Sequence, residues 1–267
     1  MGPSMLGLLA ARLFALCCSE ARTVLSAPNP DLPFRKLGAF LRPELVLVQS
    51  YESESKFRSM GCATRFLPNG VDVDRFRPLS PRRKSQLRDK YGIKRDRFVI
   101  LHVGPIIKGR NVELLGQLQN GNQQVIVIGR TAPLDSSSYG ALKDKGCIVL
   151  THYLEHIEEM YALSDCYVFP TPPANRAASI EMPLSVMEAM SCNLPVIATR
   201  FGALPRAFEE GEGLLFVDCE DDPFQELDRV KEGVEARTRD KVLPYGWDNV
   251  VSSLERIYDE IAETIGA

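Results

Sequence analysis

From Phe98 onward the chain alternates short, largely apolar runs with stretches of helical periodicity, and this alternation limits the fold more than any other feature. Apolar runs of strand length fall at 98–103, 124–128, 147–150, 166–170, 195–199 and 214–217. Helical patterns over 111–118, 137–145, 157–163 and 184–191 separate them. Repeated strand–helix units make a parallel sheet, and strands without polar alternation belong in a sheet covered on both faces. The front of the chain is sparser. Strands are expected at 23–27, 45–49 and 64–67, with a helix over 52–60 and a turn at Pro68-Asn69-Gly70. The last stretch, 247–265, reads as an amphipathic helix. The expected class is α/β, with one nearly complete doubly wound unit and a smaller, partial unit before it. The segments are 1–79, a basic linker or helix over 80–96, the main unit over 97–236, and a helical segment over 237–267.

A chain of 267 residues can bury a core without covalent staples. Lys+Arg 32 against Asp+Glu 35 leaves a formal charge of −3, so no overall basic field points to nucleic acid. The seven cysteines are irregularly spaced, no C-x-x-C occurs, and the three histidines are scattered. That pattern argues against a disulfide framework and a metal site, and for reduced thiols in a cytoplasmic protein.

The apolar stretch from Met5 to Cys18 imitates a leader peptide, but Arg12 interrupts it and no basic segment precedes it. It is also shorter than the ~20 residues of a membrane span. Leu6, Leu9, Ala10, Leu13 and Leu16 recur at helical spacing, so a core-facing helix is expected. The stretch 81–97 holds Arg82, Arg83, Lys84, Arg88, Lys90, Lys94, Arg95 and Arg97 against Asp89 and Asp96. Two readings fit it: a solvated helix face, or a contact with an anionic surface such as lipid headgroups, which would make the protein peripheral to a membrane.

Ligands of open α/β sheets bind beyond the carboxyl ends of the strands, where three segments of this chain fall. The first is His102-Val103-Gly104-Pro105-Ile106-Ile107-Lys108-Gly109-Arg110-Asn111. Gly104 lets backbone approach a ligand, and Lys108 and Arg110 suit a diphosphate, although a plain surface turn fits as well. The order is neither G-x-x-x-x-G-K-[ST] nor G-x-G-x-x-G. The second segment runs from Glu181 to Met190, with Pro183 at a helix start. There the free amides near Leu184 and Ser185 would favour an anion, and Glu181 and Glu188 would suit paired hydroxyls of a polyol. The alternative is a first-turn carboxylate complementing the helix dipole. The third, Thr199 to Pro205, reads as a structural turn in which Gly202 permits close packing or a positive φ.

Taken together, Pro68-Asn69-Gly70-Val71-Asp72, Arg75-Phe76-Arg77-Pro78, the Gly104–Arg110 loop and the stretch from Pro183 to Thr199 occur in an order that resembles the family 4 glycosyltransferases (glycosyl transferases group 1). The resemblance covers Leu45 to the C-terminus. It implies a GT-B fold: two Rossmann-like domains facing a cleft, nucleotide-sugar donor in the C-terminal one and acceptor in the N-terminal one. It also implies transfer with retention of configuration and no metal or other cofactor. By the resemblance, Gly104, Lys108 and Arg110 would hold the donor diphosphate, with Arg110 at the family's lysine position and Pro105 at its arginine position. Glu188 would hold the ribose hydroxyls, and Pro183, Leu184 and Ser185 would border phosphate and sugar. Glu181 would be the catalytic carboxylate against the donor sugar; six residues separate it from Glu188, where the family has seven. His152, Tyr153 and Leu154 would border the base. The final helix with Trp247 resembles the one that crosses back to the N-terminal domain. Residues 1–79 resemble only the last part of that domain, so the acceptor half is expected to be truncated.

The resemblance implies a hexosyltransferase of carbohydrate biosynthesis acting on a carbohydrate or lipid-linked acceptor. The alternatives are an inactive nucleotide-sugar-binding module, one half of a split enzyme whose second chain supplies the missing part, and an epimerase on the same architecture.

Overall fold

The computed structural model describes residues 5–18, 21–27, 38–129, 135–173, 181–218 and 223–263. Two parallel sheets organise it. The small one has α1 (Met5–Cys17), β1 (Val24–Ala27), β2 (Leu45–Val48), α2 (Tyr51–Ser59) and β3 (Thr64–Phe66), with strand order β1-β2-β3. Helix α3 (Pro81–Lys90) leads to the large sheet. There β4 (Phe98–Val103), β5 (Gln123–Ile128), α4 (Ser136–Asp144), β6 (Ile148–Leu150), α5 (Ile157–Leu163) and β7 (Cys166–Phe169) are followed by α6 (Leu184–Ser191), β8 (Val196–Thr199), α7 (Leu204–Ala207) and β9 (Leu214–Val217). Helices α8 (Pro223–Gly233), α9 (Thr238–Val242) and α10 (Trp247–Glu263) close the chain. The large sheet has the order β6-β5-β4-β7-β8-β9, all parallel.

The apolar runs of the large sheet are buried on both faces, as strands without alternation must be. Leu101, Tyr167, Val196 and Leu214 pack with α5 and α6 on one face; Ile100, Val127, Val168 and Ile197 pack with α4 and α8 on the other. The segment expected as a helix after β4 is a 3-10 helix over Val112–Leu118, entered through Asn111 at φ 55°.

Helix α1 forms where expected but faces the other way. Leu6, Leu13 and Leu16 are 79%, 52% and 59% exposed, whereas Leu8 is buried with the small sheet. Arg12 pairs with Glu44 and stacks on Phe40, so the inward face follows Leu8, Arg12 and Ala15. Three short strands offer too little apolar surface to cover a helix that is apolar nearly all round. No helix among the described residues is long and apolar enough to cross a membrane.

Nor is the basic stretch a simple solvated face. Arg88 is buried; its guanidinium reaches the carbonyls of Leu163, Arg95 and Arg97 and pairs with Asp165 at 2.5 Å. Lys84 joins the same carboxylate at 2.6 Å, and Lys90 pairs with Glu159 at 2.5 Å. Asp165 also accepts the Val99 amide, so α3 is fastened to the amino ends of β4 and β7. Arg82, Arg83 and Lys94 stay exposed.

The chain crosses between the sheets twice. Trp247 donates its amide to the Val71 carbonyl, Val71 donates to the Tyr245 carbonyl, and the indole lies on Gly70. Arg65 on β3 pairs with Glu260 on α10 at 2.6 Å. Arg239 donates to the carbonyls of Val73, Phe76 and Ser191, pinning the segment after Gly70 to α6.

Candidate functional site

In the large sheet, β4 stands between β5 and β7, so successive strands run outward from it in both directions. Such a reversal leaves a crevice at the carboxyl ends of the two central strands. Here the crevice is accentuated because β4 and β7 pair only at Ile100↔Cys166 and Leu101↔Tyr167. Beyond those pairs, side chains replace the ladder. His102 Nδ1 lies 2.9 Å from the Val168 carbonyl, and the Tyr167 hydroxyl donates to the Val103 carbonyl at 3.1 Å. Tyr167 also lies 2.7 Å from Ser185 Oγ, tying β4, β7 and the start of α6 together.

The Gly104–Arg110 loop rims this crevice. The Gly104 amide donates to Ile128 O, and the loop backbone passes so close to Gly129 that no side chain fits there. A Cβ on Gly104 would lie 3.1 Å from His102 Nε2 and 3.9 Å from Arg110 Nη1, so both side chains border the glycine. Arg110 is half-buried and has no carboxylate within ion-pair distance among the described residues; burial lowers its pKa from the usual value. A guanidinium held out of water without a counter-ion is a ready partner for an anion. Lys108 is exposed, on the same loop, near Asp135.

Helix α6 begins beside this cation. Pro183 is its N-cap, in an extended conformation, and no side chain caps it. The first helical amides lack intrahelical acceptors, and the helix dipole favours negative charge there. Leu184 is partly exposed and Ser185 is held by Tyr167. One turn on, Glu188 accepts the Tyr161 hydroxyl on Oε2 at 2.5 Å. Burial raises the Glu188 pKa, an effect the Tyr161 hydrogen bond offsets in part. Its Oε1 has no protein hydrogen bond among the described residues.

Glu181 stands apart from this group. It is 3% exposed, and its carboxylate is held by α2 of the small sheet. It accepts Ser50 Oγ at 2.5 Å, the Ser50 amide at 3.2 Å and Ser53 Oγ at 2.6 Å. Ser50 is the N-cap of α2, so the carboxylate also complements that helix's dipole. Burial nevertheless raises its pKa, against the lowering effect of the two serines. Gly202, at φ 54°, lets the turn after β8 press on the Glu181 backbone, and Ala203 donates its amide to Glu181 O at 3.0 Å. Next to it, Arg206 on α7 pairs with Glu54 at 3.0 Å, donates to Ser50 O and stacks on Tyr51 and Phe66. Asn69 links Gln49 to the Met182 carbonyl.

The structure thus brings Gly104, Arg110, Pro183, Leu184, Ser185 and Glu188 to one crevice and ties Glu181 to the facing sheet. His152 and Tyr153 lie exposed on the loop after β6, Tyr153 at 74%, with Leu154 half-buried behind them. No cluster of three His, Cys, Asp or Glu side chains suited to a metal occurs among the described residues. Sequence reasoning gave no role to Tyr161, Tyr167, Ser50, Ser53 or Arg206. A hydroxyl inside an apolar strand, as at Tyr167, was the available signal, because a buried phenol needs a partner. The serines carried none, since their partner lies far along the chain.

The family model described as glycosyl transferases group 1 matches residues 97–231. A D-inositol 3-phosphate glycosyltransferase of Corynebacterium jeikeium is 28% identical over 246 residues, which cover 80% of this chain and 54% of that protein. A GDP-mannose-dependent alpha-(1-6)-phosphatidylinositol monomannoside mannosyltransferase of Mycolicibacterium smegmatis is 26% identical over 193 residues, 67% of this chain and 50% of that one. In fold, the chain is similar to HepE of Anabaena solved with UDP, at a TM-score of 0.74 and 15% identity over 97% of this chain and 77% of that chain. The chain spans about half the length of the curated relatives it matches.

Proposed function

The chain belongs to the group 1 glycosyltransferases, and on that footing we propose that it moves a hexose from a nucleotide-diphosphate sugar to a carbohydrate or lipid-linked acceptor. Transfer retains configuration and uses no metal. The observation that carries this reading is Arg110, a half-buried cation with no counter-ion among the described residues, beside the uncapped start of α6. Together they receive the donor diphosphate and the charge that develops on it as the glycosidic bond breaks. Preorganised donors of this kind act most strongly where water is excluded. Lys108 adds charge from the exposed side. Glu188, with one oxygen fixed by Tyr161, offers Oε1 to the ribose hydroxyls. His152, Tyr153 and Leu154 border the base. The same reading divides the chain into an acceptor-side part over 1–79, a basic linker or helix over 80–96, a donor-binding domain over 97–236 and a helical segment over 237–267 that crosses back to the first part.

Relatives are named for GDP-mannose and a fold neighbour was solved with UDP, so both bases belong in the first panel. The test is turnover of labelled UDP- and GDP-sugars with candidate acceptors. Transfer that is abolished in Arg110→Ala, with folding retained, supports the proposal; transfer that survives in the variant contradicts it.

A second reading is favoured by Glu181. Its carboxylate is engaged by Ser50 and Ser53, so it is not free to meet a donor sugar. On this reading the chain binds nucleotide sugar without transferring it, alone or as one half of a two-chain enzyme. Binding without transfer or donor hydrolysis, and co-purification of a second chain, are its signatures.

A further inference from the structure

We propose that His102 is a positioning residue for Arg110: its buried Nε2 lone pair accepts from the guanidinium and fixes the angle at which the arginine meets a donor diphosphate. The inference rests on the reading of Arg110 as the diphosphate ligand.

His102 is 0% exposed at the carboxyl end of β4, at the point where β4 and β7 stop pairing. Its ring is fixed between Tyr167 and Phe169, with centroid separations of 6.2 and 6.3 Å. The Val168 carbonyl, 2.9 Å from Nδ1, can only accept, so Nδ1 carries the proton and Nε2 presents a lone pair. That lone pair has no partner among the described residues. Arg110 Nε, a buried donor, has none either. Gly104 separates the two side chains by little: the space where its Cβ would stand is 3.1 Å from Nε2 and 3.9 Å from Arg110 Nη1. An unpaired acceptor and a guanidinium therefore border one glycine, at the rim of the crevice. Buried polar groups are almost always satisfied, and the guanidinium is the donor group placed to satisfy Nε2.

The geometry states what that contact does. The guanidinium presents its N–H groups as a rigid planar fork. If one N–H is turned inward to Nε2, the remaining N–H groups are directed outward as a set. An aliphatic or aromatic residue at 102 would fill the core as well but would leave the fork free to rotate. Desolvation, assisted by the charge of Arg110, keeps the imidazole neutral and pushes its pKa down to about 4, so it stays an acceptor at neutral pH.

The test uses the full chain with UDP, GDP and ADP, and uridine and guanosine as controls that lack phosphates. Calorimetric titration is run on wild type, His102→Phe and Arg110→Ala. We expect His102→Phe to fold with some loss of stability, because phenylalanine leaves the Val168 carbonyl without its donor, and to bind the preferred diphosphate about ten-fold more weakly, as for loss of one charge-assisted hydrogen bond. Binding of the nucleoside should be unchanged. On wild type, the 15N resonance of His102 Nε2 should shift toward that of a hydrogen-bonded acceptor when the diphosphate is added, and the shift should be absent in Arg110→Ala. Equal diphosphate affinity in His102→Phe, or an unmoved Nε2 resonance at saturation, overturns the role of His102. Undiminished diphosphate binding by Arg110→Ala, or no binding by wild type, overturns the reading of Arg110 and this inference with it. The 15N measurement decides the matter even if the phenylalanine variant fails to fold.

Discussion

Glu181, on the loop before α6, and Ser50, the N-cap of α2, meet at 2.5 Å across the boundary between the two sheets. The contact satisfies a buried carboxylate and a helix start at once. Ser50→Ala removes the shortest of its three hydrogen bonds and leaves the charge less compensated. The variant should lose about 1–3 kcal/mol of stability, read from urea unfolding. In Glu181→Gln the same serine substitution should cost less, so a double-mutant cycle should return a coupling of about 1 kcal/mol or more. Additive effects would mean that the contact carries no energy.

The same carboxylate gives stability a pH dependence of known sign. Burial raises the folded pKa of Glu181 above its ordinary 4.5. Its stabilising contribution is therefore complete below the unfolded value and is lost as pH rises through the raised folded value. Glu181→Gln does not titrate, so it should gain on wild type as pH is taken from about 4.5 to neutrality. Parallel stability curves for the two proteins would contradict this assignment.

His102 has the opposite sign. Its folded pKa is lowered from 6.5 to about 4, so the unfolded chain binds a proton that the folded chain does not over that interval. Its contribution is full above the unfolded value and is lost as pH falls toward 4. The loss amounts to about 3 kcal/mol across the interval. In His102→Phe the acid limb of the stability curve should be flatter by that amount, as measured by denaturant unfolding at a series of pH values.

Trp247 is the sole tryptophan, and its indole lies against Gly70 so closely that a Cβ there would overlap the ring. Gly70→Ala must therefore displace the indole, by rotating it or by shifting the start of α10. We expect a red-shifted emission maximum and a Tm several degrees lower, for a cost of about 2 kcal/mol. An unchanged spectrum would show that the two sheets are not held by this contact.

The large sheet was legible because its strands are largely apolar and are spaced by turns and helical stretches; Phe98–Val103 and Leu214–Val217 begin and end where their composition changes. The orientation of α1 was not. A helix apolar on nearly every side has no single face to read, and among the described residues it is the patch that receives Leu8 that sets its orientation. In the candidate site, Gly104, Arg110 and Glu188 could be placed by their distance from strand and helix ends, which are local features. The attachments of Glu181 to Ser50 and of Arg206 to Glu54 could not, because each joins residues more than a hundred positions apart through short polar side chains. Nothing in the basic stretch marked Arg88 as the cation that would be buried; Asp165, at the amino end of β7, selects it by position alone.

The central claim is that Arg110 holds a nucleotide diphosphate at the start of α6. Thermal unfolding of wild type and Arg110→Ala with UDP, GDP, ADP and their sugar conjugates tests it most directly. At about 100 times its dissociation constant a ligand stabilises the folded state by roughly 2.7 kcal/mol. The account predicts a clear upward shift of Tm for wild type with one nucleotide base, present with its diphosphate and sugar conjugate, and lost in Arg110→Ala. No shift with any of them, or the same shift in both proteins, would contradict it.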